Sequence, residues 1–189
     1  QMCIRDRADS VGGNLISERY AFAGGFAREF GRVAWGIYAD YRAEIEYRTV
    51  DPRPKSVVSD LNLSTGATLS LGECYRLGTS VNLRVYRQKS SMSFYAPLGG
   101  PKLYQMLGLG MYSTRFSSSE NNTSVYFSGR TYGAGLELFP RDGAGLFLSV
   151  HYSGWAVRRI LPGYQKLPLT RLVDNVFDLS LIHISEPTR

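Results

Sequence analysis

The sequence predicts an all-β fold, an incomplete antiparallel transmembrane β-barrel of about six to seven strands forming an open curved sheet or partial barrel. Three observations predict it. Apolar residues recur at every second position in run after run, and tight glycine-containing joins alternate with longer connections. The chain also has no stretch of about 20 apolar residues to make a spanning helix, whereas a membrane strand needs only about 9–11 residues, half of which can be polar.

Taken in chain order, residues 20–30 place Tyr20, Phe22, Phe26 and Phe30 on one face and mostly Ala, Gly and Glu29 on the other. Residues 32–48, RVAWGIYADYRAEIEYR, carry the clearest signal. Val33, Trp35, Ile37, Ala39, Tyr41, Ala43, Ile45 and Tyr47 share one parity, and Arg32, Ala34, Gly36, Tyr38, Asp40, Arg42, Glu44, Glu46 and Arg48 the other. A helix would scatter these residues around its circumference, so the period of 2 requires a strand. At about 3.4 Å per residue the run exceeds ~50 Å, longer than the usual globular strand of about three to ten residues.

The pattern returns in 60–72, where Leu61, Leu63, Ala67, Leu69 and Leu71 oppose Asp60, Asn62, Ser64, Gly66, Thr68 and Ser70. In 77–88, Leu77, Val81, Leu83 and Val85 oppose Ser80, Asn82, Arg84, Tyr86 and Gln88. Ala134, Leu136 and Leu138 follow in TYGAGLELF, then Leu146, Leu148, Val150 and Tyr152 in AGLFLSVHYSG, with 168–177 as a seventh candidate. The second face is rich in Gly, Ser, Ala and paired charges. Small residues keep a tilted barrel's interior from overcrowding, and Asp40, Arg42, Glu44 and Arg84 can pair across a polar lumen. Tyr20, Trp35, Tyr41, Tyr47 and Tyr152 lie on the apolar face, suited to an aromatic girdle or, for Trp35, to a lipid or inter-protein contact.

The joins EFGR at 29–32, GECY at 72–75 and PRDG at 140–143 suit reverse turns. Between them lie longer connections at 49–59 and at about 89–124, the expected extracellular loops. Parity places 104–124 in an extracellular hairpin or loop, because a spanning strand at 104–115 would move the PRDG turn to the long-loop side. Gly24, Gly25, Gly133 and Gly135 interrupt strands where a barrel bends or packs an inward aromatic closely.

Both termini read differently. MCIRDR at 2–7 and LSLIHISEPTR at 179–189 resemble translated sequencing-adapter DNA, one orientation at each end. This reading makes 1–7 and 179–189 artefacts and 8–178 a partial barrel domain. Setting the ends aside removes Arg5, Asp6, Arg7, Glu186 and Arg189 from the full totals, leaving 19 basic and 14 acidic side chains. Cys74 and His151 are then the single cysteine and histidine, so neither an internal disulfide nor a Cys/His metal cluster is expected. The positive total comes without a recognition helix, and no nucleic-acid partner is expected.

Three segments carry a family resemblance: AEIEYRTVDPRPKSVVSDLNLSTGA at 43–67, NLRVYRQKSSMSFYAPLGGPKLYQMLGLG at 82–110 and LFLSVHYSGWAVRRIL at 146–161. With their flanks they cover most of 18–178, and they resemble an uncharacterised outer-membrane β-barrel family of Bacteroidota. The resemblance implies the outer membrane of a Gram-negative bacterium, with an export signal and further strands in the full protein. The strings are not catalytic motifs.

No catalytic, cofactor-binding or metal residues are expected. His151 has Ser149 and Ser153 on its own face, but neighbours at i and i+2 stand about 7 Å apart, too far for proton transfer. Asp40, Glu44 and Glu46 share their face with Arg42 and Arg48 and read as a mixed-charge lumen. LGLGM at 107–111 lacks the strand-to-helix setting of a phosphate loop. Basic Arg53, Lys55, Lys89, Lys102, Arg158, Arg159 and Lys166 are expected in loops, solvated or against lipopolysaccharide. Asn122 would be a glycosylation acceptor only in a eukaryotic secretory setting, and Cys74 reads as a tolerated singleton in a periplasmic turn.

The expected function is that of an integral outer-membrane barrel, non-enzymatic, with a pore, uptake or structural role and no cofactor. Its expected partners are outer-membrane lipid and lipopolysaccharide, and any small-solute or glycan ligand is open. Alternatives are an adhesion barrel displaying Phe94, Tyr95, Tyr104 and Tyr126 on one platform, an outer-membrane hydrolase, and a soluble β-domain. In water the segment is expected to aggregate through its unpaired edge and apolar face.

Overall fold

The computed structural model describes residues 14–51, 53–95, 103–108, 111–118, 123–141, 143–161 and 167–184. Among them are nine strands and no helix: β1 (Ile16–Phe30), β2 (Val33–Tyr47), β3 (Arg53–Leu71), β4 (Tyr75–Ser93), β5 (Leu103–Gly108), β6 (Met111–Ser118), β7 (Thr123–Pro140), β8 (Gly145–Leu161) and β9 (Leu167–Ile184). Seven of them form one antiparallel sheet in the order β1-β2-β3-β4-β7-β8-β9, and β5 and β6 form a separate two-stranded sheet between β4 and β7. The sheet is open, with β1 and β9 as its edges. The expected hairpin within 104–124 is therefore present as β5–β6, and the expected seventh strand is β9.

The three tight joins all lie at one end of the sheet. Each carries a glycine in the left-handed region, Gly31 at φ 62°, Gly72 at φ 67° and Gly143 at φ 81°, where a Cβ would be strained. Backbone bonds Ser70 N to Arg32 O (2.9 Å) and Arg141 N to Cys74 O (2.8 Å) tie neighbouring turns together.

At the opposite end the strands run further than the alternation predicts. β3 begins at Arg53, so the connection expected at 49–59 shrinks to 48–52, and β4 reaches Ser93 rather than ending near Gln88. There the outward positions Lys55, Ser59, Arg87 and Lys89 are no longer apolar, so the period-2 signal fades while the hydrogen-bond ladder continues. The β9 ladder also continues through residues 179–184, which pair with Gly145–Val150 of β8. Residues 1–7 and 185–189 lie outside the described residues.

Burial is inverted relative to a water-soluble sheet. Polar Ser56, Asp60 and Gln88 are 4%, 7% and 4% exposed, whereas Val33, Trp35 and Ile37 are 39%, 40% and 43% exposed. No second layer packs on the seven-stranded sheet among the described residues, so its buried polar face is the inside of its curvature, where side chains converge. On the outside they splay apart. The few buried apolar residues, Met92, Phe94, Val125 and Leu161, gather at the long-connection end of β4, β7 and β8.

The long end has its own tie. Asp51 accepts from Arg53 Nε (2.9 Å) and from the Tyr95 backbone N–H (2.8 Å), joining the β2–β3 connection to the segment after β4. Arg53 also stacks on the Tyr95 ring at 4.1 Å.

The turn geometry generates a prediction. Gly72→Val places a β-branched residue at positive φ and is expected to cost about 1–3 kcal/mol, seen as a lower unfolding midpoint in urea, whereas Gly72→Asn costs less.

Candidate functional site

Register assembles the inner face row by row. The ladder pairs Asp40 with Asn62, Asn62 with Arg84, Arg42 with Asp60, and Asp60 with Tyr86. Because paired residues point to one side, β2, β3 and β4 bring their charged positions into a single inward patch.

Asp60 is the hub. Arg84 grips its carboxylate with two parallel bonds, Nε to Oδ1 at 2.8 Å and an η nitrogen to Oδ2 at 2.7 Å, and Arg42 adds a third at 3.2 Å. The paired fork is the strong geometry for a guanidinium and a carboxylate. Next to it, Asn62 donates to Asp40 (2.9 Å), and Asn82 donates to both Asn62 and Ser64 (2.9 Å each). Above it, Tyr86 donates to Gln88 (2.7 Å), and the Gln88 amide donates to Ser56 (3.1 Å) and Ser90 (3.2 Å). Arg19 on β1 closes on Glu44 at 3.0 Å. The result is a hydrogen-bonded polar strip across four strands.

A second inward cluster sits near the turn end of β7 and β8. His151 Nε2 lies 2.9 Å from Glu137 Oε1. The imidazole folds over Gly135, where an added Cβ would stand 2.5 Å from Nδ1 and 2.7 Å from Ser80 Oγ. Only a residue without a side chain lets the ring reach Glu137 this way. Ser149 and Ser153 share the face as expected, but the partner of His151 is a carboxylate.

The charges the sequence singled out divide among several partners. Asp40 takes Asn62, Arg42 and Arg84 take Asp60, and Glu44 takes Arg19. Arg48 does not continue that face. It lies beyond β2, buried, its Nε donating to the Val50 carbonyl at 3.2 Å. No group of three or more His, Cys, Asp or Glu able to hold a metal occurs among the described residues. LGLGM falls at the β5–β6 hairpin, with residues 109–110 outside the described residues.

Two placements need correction. Arg53, Lys55, Lys89, Arg158 and Arg159 lie on strands rather than in loops, because the ladder outlasts the apolar pattern. Phe94 is buried, Tyr95 is exposed past β4 and Tyr126 faces outward on β7, so these three do not form one platform. Lys102, Asn122, Lys166 and the Tyr104 side chain lie outside the described residues. Cys74 is free and exposed in the β3–β4 turn.

Asp60 as hub, Arg19 and Glu137 were missed by sequence reasoning. A signal existed for each of the carboxylates. Folding the chain symmetrically about residue 51 sets Asp60 against Arg42, and Glu137 is the single carboxylate of the TYGAGLELF run.

The outer face settles its polar groups within the sheet. Trp35 Nε1 donates to Thr65 Oγ1 (3.1 Å), which donates to the Gly36 carbonyl (3.0 Å), and Thr79 donates to the Ala67 carbonyl (3.4 Å). Tyr132 and Tyr152 both donate to Asn175 Oδ1, at 3.3 and 3.2 Å.

Removing the hub tests the inner strip. Asp60→Ala leaves two part-exposed arginines without their carboxylate and is expected to cost about 1–3 kcal/mol in urea unfolding. Gly135→Ala is expected to push His151 off Glu137, shifting the imidazole resonances in NMR.

Comparison with known proteins gives one positive finding. A family model described as a family of unknown function (DUF6850) matches residues 7–188. No curated protein and no solved structure matches the chain.

Proposed function

For this chain, which belongs to the family of unknown function DUF6850, we propose the role of an integral outer-membrane β-barrel that passes or takes up small polar solutes through a charge-lined lumen. One observation carries the reading: on β3, β4 and β8 the outward row is largely apolar for roughly 10 residues from the tight-turn end and turns polar or cationic beyond, matching the about 9–11 residues a tilted strand needs to cross a bilayer. On β3 the apolar stretch runs from Leu71 to Leu61, on β4 from Tyr75 to Val85, and on β8 from Leu146 to Ala156. At about 3.3 Å per residue and a tilt near 45°, that is ~24 Å of height, the size of an apolar barrel band.

Two further observations support it. Trp35, Thr65, Thr79, Tyr132 and Tyr152 satisfy their polar atoms inside the sheet, as hydrocarbon requires and water does not. The unpaired edges of β1 and β9 require completion, because an open edge in hydrocarbon leaves backbone groups unsatisfied. Further strands closing the barrel satisfy them. The resemblance of 43–67, 82–110 and 146–161 to a Bacteroidota barrel family agrees with this placement.

The lumen works without a chemical step. Fixed charges at Asp60, Arg42, Arg84, Asp40 and Glu44 set the field that a passing solute meets. The four buried apolar residues at the long end would narrow the mouth on that side.

Alternation supplies the test. Cysteines replacing Leu83 and Asn82, one residue apart and on opposite faces, are labelled with an environment-sensitive fluorophore in the reconstituted protein. Brominated lipid is expected to quench the label at position 83 several-fold more than at 82, and a water-soluble quencher the reverse. Equal quenching at both positions refutes the membrane reading. In planar bilayers, Asp60→Asn is expected to move ion selectivity toward anions by removing a negative charge from the lumen.

A further inference from the structure

The acidic residues of the sheet are not shared between its faces. Asp40, Glu44, Glu46, Asp60, Glu137, Asp174 and Asp178 all fall on the inward parity. On the outward parity, β2, β3, β4, β7, β8 and β9 carry no carboxylate among the described residues, and Glu18 on the β1 edge is the outward exception.

The outward cations cluster instead. Ladder pairing sets Arg87 of β4 opposite Ser128 of β7, Ser128 opposite Arg158 of β8, and Arg158 opposite Arg171 of β9. Lys89 lies one outward position beyond Arg87 on the long-connection side, and Arg130 one position toward the turns from Ser128. All five are exposed, and none forms an ion pair among the described residues, unlike inward Arg19, Arg42 and Arg84. The row stands immediately above the apolar stretch, at the end away from the tight turns.

A hollow lies in the same rows. It encloses about 560 Å³ and is lined by Val57, Arg87, Lys89, Tyr126, Ser128 and Ile160 among others, with the Lys89 ammonium 5.5 Å from the Tyr126 ring centroid. Its apolar walls continue the belt below, and its cations crown it. That combination suits an amphiphile whose chain lies on the belt and whose head is anionic.

We propose that this row is a binding site for a lipid with two phosphates on a sugar headgroup, the glycolipid class of an outer leaflet, and the proposal rests on the membrane reading above. Charge complementarity names the phosphate: five cations without an ion pair stand together, and the outward face of their own strands carries no carboxylate among the described residues. The width names the headgroup. From β4 to β9 the row crosses three strand spacings, ~14 Å, and on a convex surface its side chains splay, so its two ends are served by separate phosphates. A phospholipid with one phosphate covers only half of it.

The test uses the protein reconstituted in nanodiscs, with native mass spectrometry of co-bound lipid. Diphosphoryl lipid A is expected to be retained about 10-fold or more over phosphatidylglycerol at matched charge, with monophosphoryl lipid A between them. The triple variant Arg87→Gln, Arg158→Gln, Arg171→Gln is expected to lose on the order of 100-fold in retention, since each basic group near a charged headgroup contributes about fivefold. Arg76→Gln, an inward cation at the turn end, is expected to change nothing. Equal retention of phosphatidylglycerol and diphosphoryl lipid A, or an unchanged triple variant, overturns the proposal while lipid quenching at position 83 leaves the membrane reading standing. If position 83 is not quenched by lipid, both fall.

Discussion

An antiparallel ladder leaves no freedom over which side of a sheet a residue faces, and with a single curved layer each side has only one environment. Everything else in this protein follows from that constraint. Inward, Gly135 makes room for His151, and Asp60 is held between two guanidiniums. The outward side diverges and carries Phe22, Phe26, Trp35, Ile37, Leu69, Val81 and Leu83, all well exposed. Burial of a large apolar side chain supplies about 1.5–3 kcal/mol, and in water these residues would return little of it. Against a total stability of about 5–15 kcal/mol that shortfall is large.

Electrostatics sorts the same way. Inward, Asp60 and Glu44 pair with arginines, and outward a row of cations stands at the long-connection end of β4, β7, β8 and β9. The net charge of +6 is therefore not spread evenly over the molecule. The inward face keeps a surplus of carboxylates, and the outward rim at the long-connection end is cationic.

Much of the fold was legible because strands inside the apolar stretch advertise both faces at once. Residues 32–48 show this best: Trp35, Ile37 and Tyr41 alternate with Gly36, Tyr38 and Asp40, and β2 follows almost to the residue. Glycines at 31, 72 and 143 marked the turns because a positive φ leaves little other choice. The upper parts of β3, β4, β7 and β8 were illegible for the converse reason. Around Lys55, Lys89 and Arg158 both faces are polar, and only backbone pairing, which has no residue preference, keeps the strand going. The inner site was half legible. Parity put Asp40, Arg42, Glu44 and Arg84 on one face, but partners depend on register, so the central role of Asp60 emerged only from the pairing of β2, β3 and β4.

The Asp51 clasp has a mechanical consequence. A single carboxylate holds the start of β3 through Arg53 and the exit of β4 through the Tyr95 amide, so two connections separated by the hairpin Arg53–Ser93 share one anchor. The two ends part only when a bond to Asp51 breaks. The ordering entropy of the residues it joins is lost once, at folding.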